Sequence, residues 1–144
     1  PGTSERQGLE LSLTASPLPG LSVTGSYTYI LSEDGTGLSE LRRPKHAAAL
    51  NLGYAFPDGR ARVFGDVIYN GEMPDSEFVT FGRATLDDYV LVNVGGDYAL
   101  SESVTLYGRV NNLLDEDYEE IFGFNTAGVT GFVGVRLTFG GPAQ

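Results

Sequence analysis

The chain has 144 residues, a formal net charge of −10, a pI of about 4.3 and no cysteine. These values exclude disulfides and cysteine-based metal or redox chemistry, and they make nucleic acid a poor partner. Twenty glycines without sustained helix-period patterning predict an all-β chain, and no run of about 18 apolar residues offers a transmembrane helix, which a β-barrel does not need.

The first residue is Pro1 and no signal-peptide pattern follows it, so we expect a piece of a longer protein. The first run, Gly8 to Ala15, sets Leu9, Leu11, Leu13 and Ala15 against Glu10, Ser12 and Thr14. Period two is the mark of a strand with one apolar face. Ser16 to Gly20 is a tight turn. The second run places Leu21, Val23, Gly25, Tyr27, Tyr29 and Leu31 opposite Ser22, Thr24, Ser26 and Thr28. A long polar connection, Ser32 to Lys45, leads to a third run with Ala48, Leu50, Leu52, Tyr54 and Phe56 on one face. After the Pro57-Asp58-Gly59 turn, the fourth run sets Ala61, Val63, Gly65, Val67 and Tyr69 against a mixed face of Arg62, Phe64, Asp66, Ile68 and Asn70. A second long connection, Gly71 to Leu86, precedes a fifth run carrying Val90, Val92, Val94, Gly96, Tyr98 and Leu100. Ser101 to Ser103 is a short turn into the sixth run, with Val104, Leu106, Gly108 and Val110 on its apolar parity. The third long connection, Leu114 to Gly128, leads to a seventh run, Val129 to Phe139, in which Phe132 is the apolar exception on the polar side.

Connections that alternate short and long predict about seven up-and-down antiparallel strands with every long loop at one end. That is the layout of outer-membrane barrels, with short periplasmic turns and long extracellular loops. The strand charges Glu10, Arg62, Asp66, Asp97, Arg109 and Arg136 all fall opposite the apolar parity, as they must if that parity meets lipid. On this reading Leu50, Leu52, Val63, Val92, Val94, Leu106, Val133, Val135 and Leu137 face outward on a convex side. The charges line a concave lumen wall. Aromatics on the apolar parity cluster toward the strand ends, Tyr27, Tyr29 and Tyr69 at one and Tyr54, Phe56, Tyr98 and Phe139 at the other. Two such girdles flanking an aliphatic band mark the two membrane interfaces. The expected fold is an antiparallel up-and-down transmembrane β-barrel segment. A stand-alone small barrel of about eight strands with a structural, adhesive or enzymatic role, and a soluble acidic β-domain, are the alternatives.

Several stretches resemble the TonB-dependent outer-membrane receptors. Arg6-Gln7-Gly8-Leu9-Glu10-Leu11, Pro19-Gly20-Leu21 and Ser26-Tyr27-Thr28-Tyr29 are similar to the middle and late barrel of that family, and Arg43-Pro44-Lys45-His46 to a segment that opens its next strand. Val110-Asn111-Asn112-Leu113-Leu114-Asp115-Glu116-Asp117-Tyr118, then Gly123-Phe124-Asn125-Thr126-Ala127-Gly128 and a strand ending at Phe139, resemble its C-terminal signature. The wording of Tyr118 to Gly128 is closest to cobalamin receptors, with siderophore receptors next. Two features depart from the pattern: Gly140 to Gln144 follow the terminal aromatic, and Val129 stands where the family commonly has Arg. The resemblance implies a plugged barrel of about 22 strands in the bacterial outer membrane, with residues 1–139 as its C-terminal part and 140–144 as a tail. It implies as partners the outer-membrane lipid, a plug domain of the same polypeptide, the TonB energy-coupling complex acting through a preceding N-terminal part, and a scarce metal chelate, cobalamin or a ferric siderophore.

Ligand contacts are expected on the second and third long loops, with Tyr118, Phe122, Phe124 and Asn125 foremost, because flat aromatic surface beside an amide suits a bulky chelate with polar edges. Packing of Tyr118 and Phe122 against a neighbouring loop is the competing expectation. Glu33-Asp34-Gly35-Thr36-Gly37 and Asp115-Glu116-Asp117 with Glu119-Glu120 offer oxygen ligands for Ca2+, but neither has EF-hand spacing, and a solvated acidic loop is the simpler expectation. No other cofactor is expected. The single His46 has no second histidine or fixed carboxylate in its pattern and reads as a rim residue. No nucleophile-and-base constellation or phosphate loop is present, so the chain is not expected to be an enzyme.

Overall fold

Alternation of apolar and polar residues is realised as one antiparallel sheet in the computed structural model, which describes residues 4–139. The strands are β1 (Glu5–Ala15), β2 (Leu21–Glu33), β3 (His46–Ala55), β4 (Ala61–Asn70), β5 (Met73–Ser76), β6 (Arg83–Leu86), β7 (Tyr89–Ser101), β8 (Val104–Asn111), β9 (Glu119–Ile121), β10 (Phe124–Asn125) and β11 (Thr130–Leu137). Seven of them pair in the order β1-β2-β3-β4-β7-β8-β11, and the sheet is open, with β1 and β11 at its edges. Each of the seven expected runs is one of these strands. The last is shorter than expected and ends at Leu137. The tail at 140–144 lies outside the described residues.

Two connections expected to be irregular carry small hairpins of their own, β5 with β6 and β9 with β10. Strands of two to four residues are too short for a period of two to be visible. The three short turns lie at the other end of the sheet. The one at Pro57 to Gly59 closes with the Gly59 N–H donating to the Phe56 carbonyl at 2.9 Å, and Gly59 takes φ 70°, which a side chain would resist. The Thr138 N–H donates to the Ser103 carbonyl, so the end of β11 sits with these turns.

Residues directly opposite in a ladder share a face. Arg62 lies opposite Asp97, Asp66 opposite both Asn51 and Asn93, Arg109 opposite Gly95 and Phe132, Arg136 opposite Thr105 and Glu10 opposite Thr28. The six strand charges therefore lie on one face. Leu50 lies between Gly25 and Val67, Leu52 between Val23 and Gly65, Val63 between Tyr54 and Gly96, and Leu106 between Tyr98 and Val135, on the other. The aromatic exception Phe64 stays on the charged face because Gly95 stands opposite: a Cβ there would come within 2.6 Å of the ring.

Among the described residues no second layer covers the apolar face. Among the described residues only Met73, Leu86 and Tyr89 are buried apolar side chains, and all three sit at the long-loop end. Leu9, Leu11 and Leu13 are more than half exposed and Val133 is 90% exposed. A contiguous apolar face of this extent is not stable against water. The girdles are real contacts as well. At the long-loop end, His46 hydrogen-bonds through Nδ1 with the Tyr27 hydroxyl at 2.7 Å, and its ring lies 5.0 Å from that of Tyr29. At the opposite end Tyr54 meets Phe56 edge-on at 5.0 Å and the Arg60 guanidinium covers Tyr98.

Leu50→Arg, in the middle of the apolar band, is expected to destabilise the full-length protein in a lipid bilayer by about 2–4 kcal/mol, whereas Thr24→Arg on the opposite face should stay within about 0.5 kcal/mol. Denaturant titration of the two variants in the same vesicles measures both. Equal costs would contradict the assignment of faces.

Candidate functional site

The three long connections, here called L1 (residues 34–45), L2 (71–88) and L3 (112–129), meet at one rim. L3 is tied at its base by Asn112, which is 4% exposed and has φ 50°. Its backbone N–H donates to the Asn93 side-chain oxygen at 3.0 Å, its amide donates to the Glu116 and Ala127 carbonyls, and its Oδ1 accepts the Glu116 N–H at 2.9 Å. One side chain thus spans both ends of the loop. Asn enters the left-handed region more readily than most residues, and its amide supplies donor and acceptor together. Asp115 adds a second tie by accepting the Val129 N–H at 3.0 Å.

Across the rim the junction is Asp75 on β5. It has no exposed surface. Its Oδ1 accepts Nε–H of Arg42 from L1 at 2.8 Å, and its Oδ2 accepts the backbone N–H of Phe122 from L3 at 2.8 Å. The Arg42 N–H also donates to the Pro74 carbonyl at 2.7 Å, and the Arg83 guanidinium donates to the Ser39 carbonyl. Aromatic pairs reinforce the junction: Tyr89 packs on Tyr118 at 4.5 Å and Phe78 meets Phe124 edge-on at 5.9 Å.

Between L2 and L3 this leaves a cup of about 420 Å³. Asp87, Asp88, Asp117 and Glu119 line it together with Tyr118, Phe122 and Asn125, and its lining includes no Lys or Arg. Three of the four residues named from the sequence therefore converge. Phe124 does not join them; it stands at the rim, 60% exposed, against Phe78. Tyr118 divides its surface between the cup and Tyr89. Asp75, Arg42, Asp87 and Asp88 were not singled out from the sequence. The two neighbouring aspartates lay in plain view beside the fifth strand, whereas nothing in Met73-Pro74-Asp75-Ser76 announces a buried carboxylate.

On the charged face of the sheet, Arg62 pairs with Asp97 at 2.7 Å and Arg109 with Asp66 at 2.8 Å. The two guanidiniums lie over the Phe64 ring, 6.0 and 5.8 Å from its centre, a cation–π arrangement that accounts for an aromatic residue among charges. Arg136 covers Tyr107 at 5.5 Å. Glu10 stands apart on β1, three strands from β4. The six residues thus form two ion pairs, one stacked cation and one isolated carboxylate.

Among the described residues no three His, Asp or Glu side chains converge as metal ligands do. In the acidic stretches considered for Ca2+, Asp34, Asp115 and Glu119 accept N–H groups of their own loops. Asp34 accepts the Thr36 hydroxyl and the Thr36 and Leu38 amides, which hold its carboxyl below the usual range, and Glu119 accepts the Gly123 N–H.

Over residues 1–113 the chain matches the family model described as TonB dependent receptor-like, beta-barrel. It is 32% identical over 98 residues to the vitamin B12 transporter BtuB of Vibrio cholerae serotype O1, a match covering 67% of this chain and 16% of that protein. It is 29% identical over 147 residues to the iron-regulated outer membrane virulence protein of the same organism, covering 94% of this chain and 22% of that one. Among solved structures it superposes on the ferripyoverdine receptor of the outer membrane of Pseudomonas aeruginosa with a TM-score of 0.79 at 20% identity, over 93% of this chain and 19% of that one. That likeness shows the fold. The chain spans 16–22% of the length of the two curated relatives.

Burial alone would raise the pKa of Asp75, but the Phe122 amide, the Arg42 guanidinium and the Ser76 amide outweigh it and hold the carboxyl below its ordinary value. A depressed folded-state pKa contributes stability that is present above the unfolded value, near 3.9, and is lost as pH falls through the folded one. The Phe122 amide is therefore expected to keep its hydrogen-exchange protection, after correction for the intrinsic rate, from pH 7 to 5 and to lose it only below about pH 4. Loss of protection between pH 6 and 5 would contradict this.

Proposed function

The chain belongs to the TonB-dependent receptor family, as part of its β-barrel, and from that premise we propose that the receptor it helps to build carries a metal chelate inward across the bacterial outer membrane. The family is one of receptors and transporters, and its place is the outer membrane. The observation that carries the reading is a single-layer sheet, apolar on one face, whose three long connections close into one rim above it. In this reading the face with Arg62, Asp66, Asp97, Arg109, Arg136 and Glu10 is the lumen wall, turned toward a plug domain of the same polypeptide. The energy-coupling complex acts through that plug. The open edges at β1 and β11 favour a segment of a large barrel over a small barrel standing alone.

Ligand contact falls on the cup, through Tyr118, Phe122 and Asn125, with Phe124 at its lip. The cup's charge favours one class of chelate. Four carboxylates without a facing cation repel a ligand of net negative charge, such as a ferric tris-catecholate. A corrin chelate edged with amides and bearing no net negative charge meets no such barrier, and its flat face suits the two aromatic rings. We therefore favour cobalamin over an anionic ferric siderophore, in line with the name of the 32%-identical relative.

Binding measurements on the full-length receptor test both levels. Cobalamin is expected to bind and ferric tris-catecholate to be rejected. Neutralising Asp87, Asp88, Asp117 and Glu119 together, to Asn and Gln, should raise affinity for the anionic chelate by roughly ten- to a hundred-fold and change that for cobalamin by no more than about three-fold. A wild-type preference for the anionic chelate would overturn the finer reading. Phe124→Ala and Asn125→Ala, if both left affinity unchanged with normal surface expression, would remove L3 from the binding site.

A further inference from the structure

The β5–β6 hairpin pairs with no strand of the main sheet. Its place at the rim depends on contacts from other loops, among them the Arg42 N–H to the Pro74 carbonyl and the Arg83 guanidinium to the Ser39 carbonyl, and one side chain of the hairpin reaches both L1 and L3. Asp75 has no exposed surface, yet it is held ionised. An anchor serving packing alone is supplied more cheaply by an apolar residue, as Met73 and Leu86 of the same hairpin do. A buried carboxylate is tolerated only where its acceptor sites are filled, and here they are filled from three places: the Arg42 guanidinium of L1, the Phe122 backbone of L3 and the neighbouring Ser76 amide.

The L1 partner is itself held away from its preferred conformation. Arg42 has φ 57°, an unfavourable region for a long side chain, and both its backbone N–H and its Nε–H are engaged by the hairpin, at Pro74 and Asp75. The L3 partner is the backbone of Phe122, whose ring lines the cup. A change in the Asp75 carboxylate therefore reaches L1 through a strained residue and the cup through the residue that carries one of its two rings.

We infer that Asp75 is a positioning residue: it makes the three long connections one body and sets the Phe122 side of the cup, without touching the ligand. This deepens the reading of the rim as a chelate site and rests on it. Asparagine in its place offers one acceptor and one donor where two N–H groups point inward, so one of the two ties must break and the other loses the charge that strengthens it.

Spin labels at Gly35 on L1, Val79 on L2 and Glu120 on L3, in a full-length receptor carrying only those cysteines, report the three pairwise distances. All three distributions are expected to be narrow in the wild type. Asp75→Asn should broaden them and weaken cobalamin binding by roughly ten-fold. Arg42→Ala, which cuts the Asp75 tie to L1 and keeps the backbone N–H to Pro74 and the Arg83–Ser39 contact, should still broaden both distances to Gly35, leave the distance between Val79 and Glu120 narrow, and cost no more than about two-fold in affinity. The Arg42 variant also serves if Asp75→Asn fails to enter the membrane, because it must loosen L1 against an intact L2–L3 pair. Three narrow distributions in an inserted Asp75→Asn receptor, a uniform response to Arg42→Ala, or broadening without loss of affinity would each overturn the inference. A wild-type receptor that ignores cobalamin would defeat the cobalamin reading instead, and the distances would still judge the one-body arrangement.

Discussion

A sheet one layer thick has no core, and the remaining features of this molecule follow from that constraint. Backbone groups in such a sheet are satisfied sideways, strand to strand, which the continuous registers from β1 to β11 accomplish. Side chains then have only two destinations. Whatever stands on the parity of Leu50 and Val133 meets the surrounding solvent directly, and only hydrocarbon makes that favourable. Whatever stands on the parity of Arg62 and Arg109 must find polar company, and the two ion pairs around Phe64 are how it does so. Being partly exposed, those pairs contribute little stability, about 0–1 kcal/mol each; their effect is to make the face polar and ordered.

Where the sheet ends, hydrocarbon no longer organises the chain. The loops substitute buried polar side chains for a hydrophobic core. Asn112 joins the two ends of L3, and Asp75 joins all three connections. Met73, Leu86 and Tyr89 supply the small apolar floor beneath them. The Asn111-Asn112-Leu113-Leu114-Asp115 stretch, part of the signature seen in the sequence, owes its form to this: Asn112 and Asp115 take left-handed backbone angles and turn their side chains onto the loop's own amides and carbonyls.

The strands were legible because each is long enough to repeat the pattern several times. The mixed face of β4 obscured its parity, and the reason lies across the ladder, in Gly95, which leaves room for Phe64. The hairpins β5–β6 and β9–β10 were not legible, since two to four residues cannot display a period. At the rim, Tyr118, Phe122 and Asn125 were identifiable by their chemistry. Their company was not: Asp87 and Asp88 come from another loop, and the meeting of L2 with L3 depends on Asp75, whose partners lie 33 and 47 residues away along the chain.

As part of the proposed barrel wall, β7 meets lipid on one parity and an enclosed polar space on the other. A fluorescent thiol probe placed singly at Val90, Leu91, Val92, Asn93 and Val94 of the full-length receptor in vesicles, quenched by bromine-labelled acyl chains, measures this directly. Quenching is expected at Val90, Val92 and Val94 and protection at Leu91 and Asn93, an alternation of period two. Uniform quenching along the strand, or alternation with the opposite phase, would contradict it.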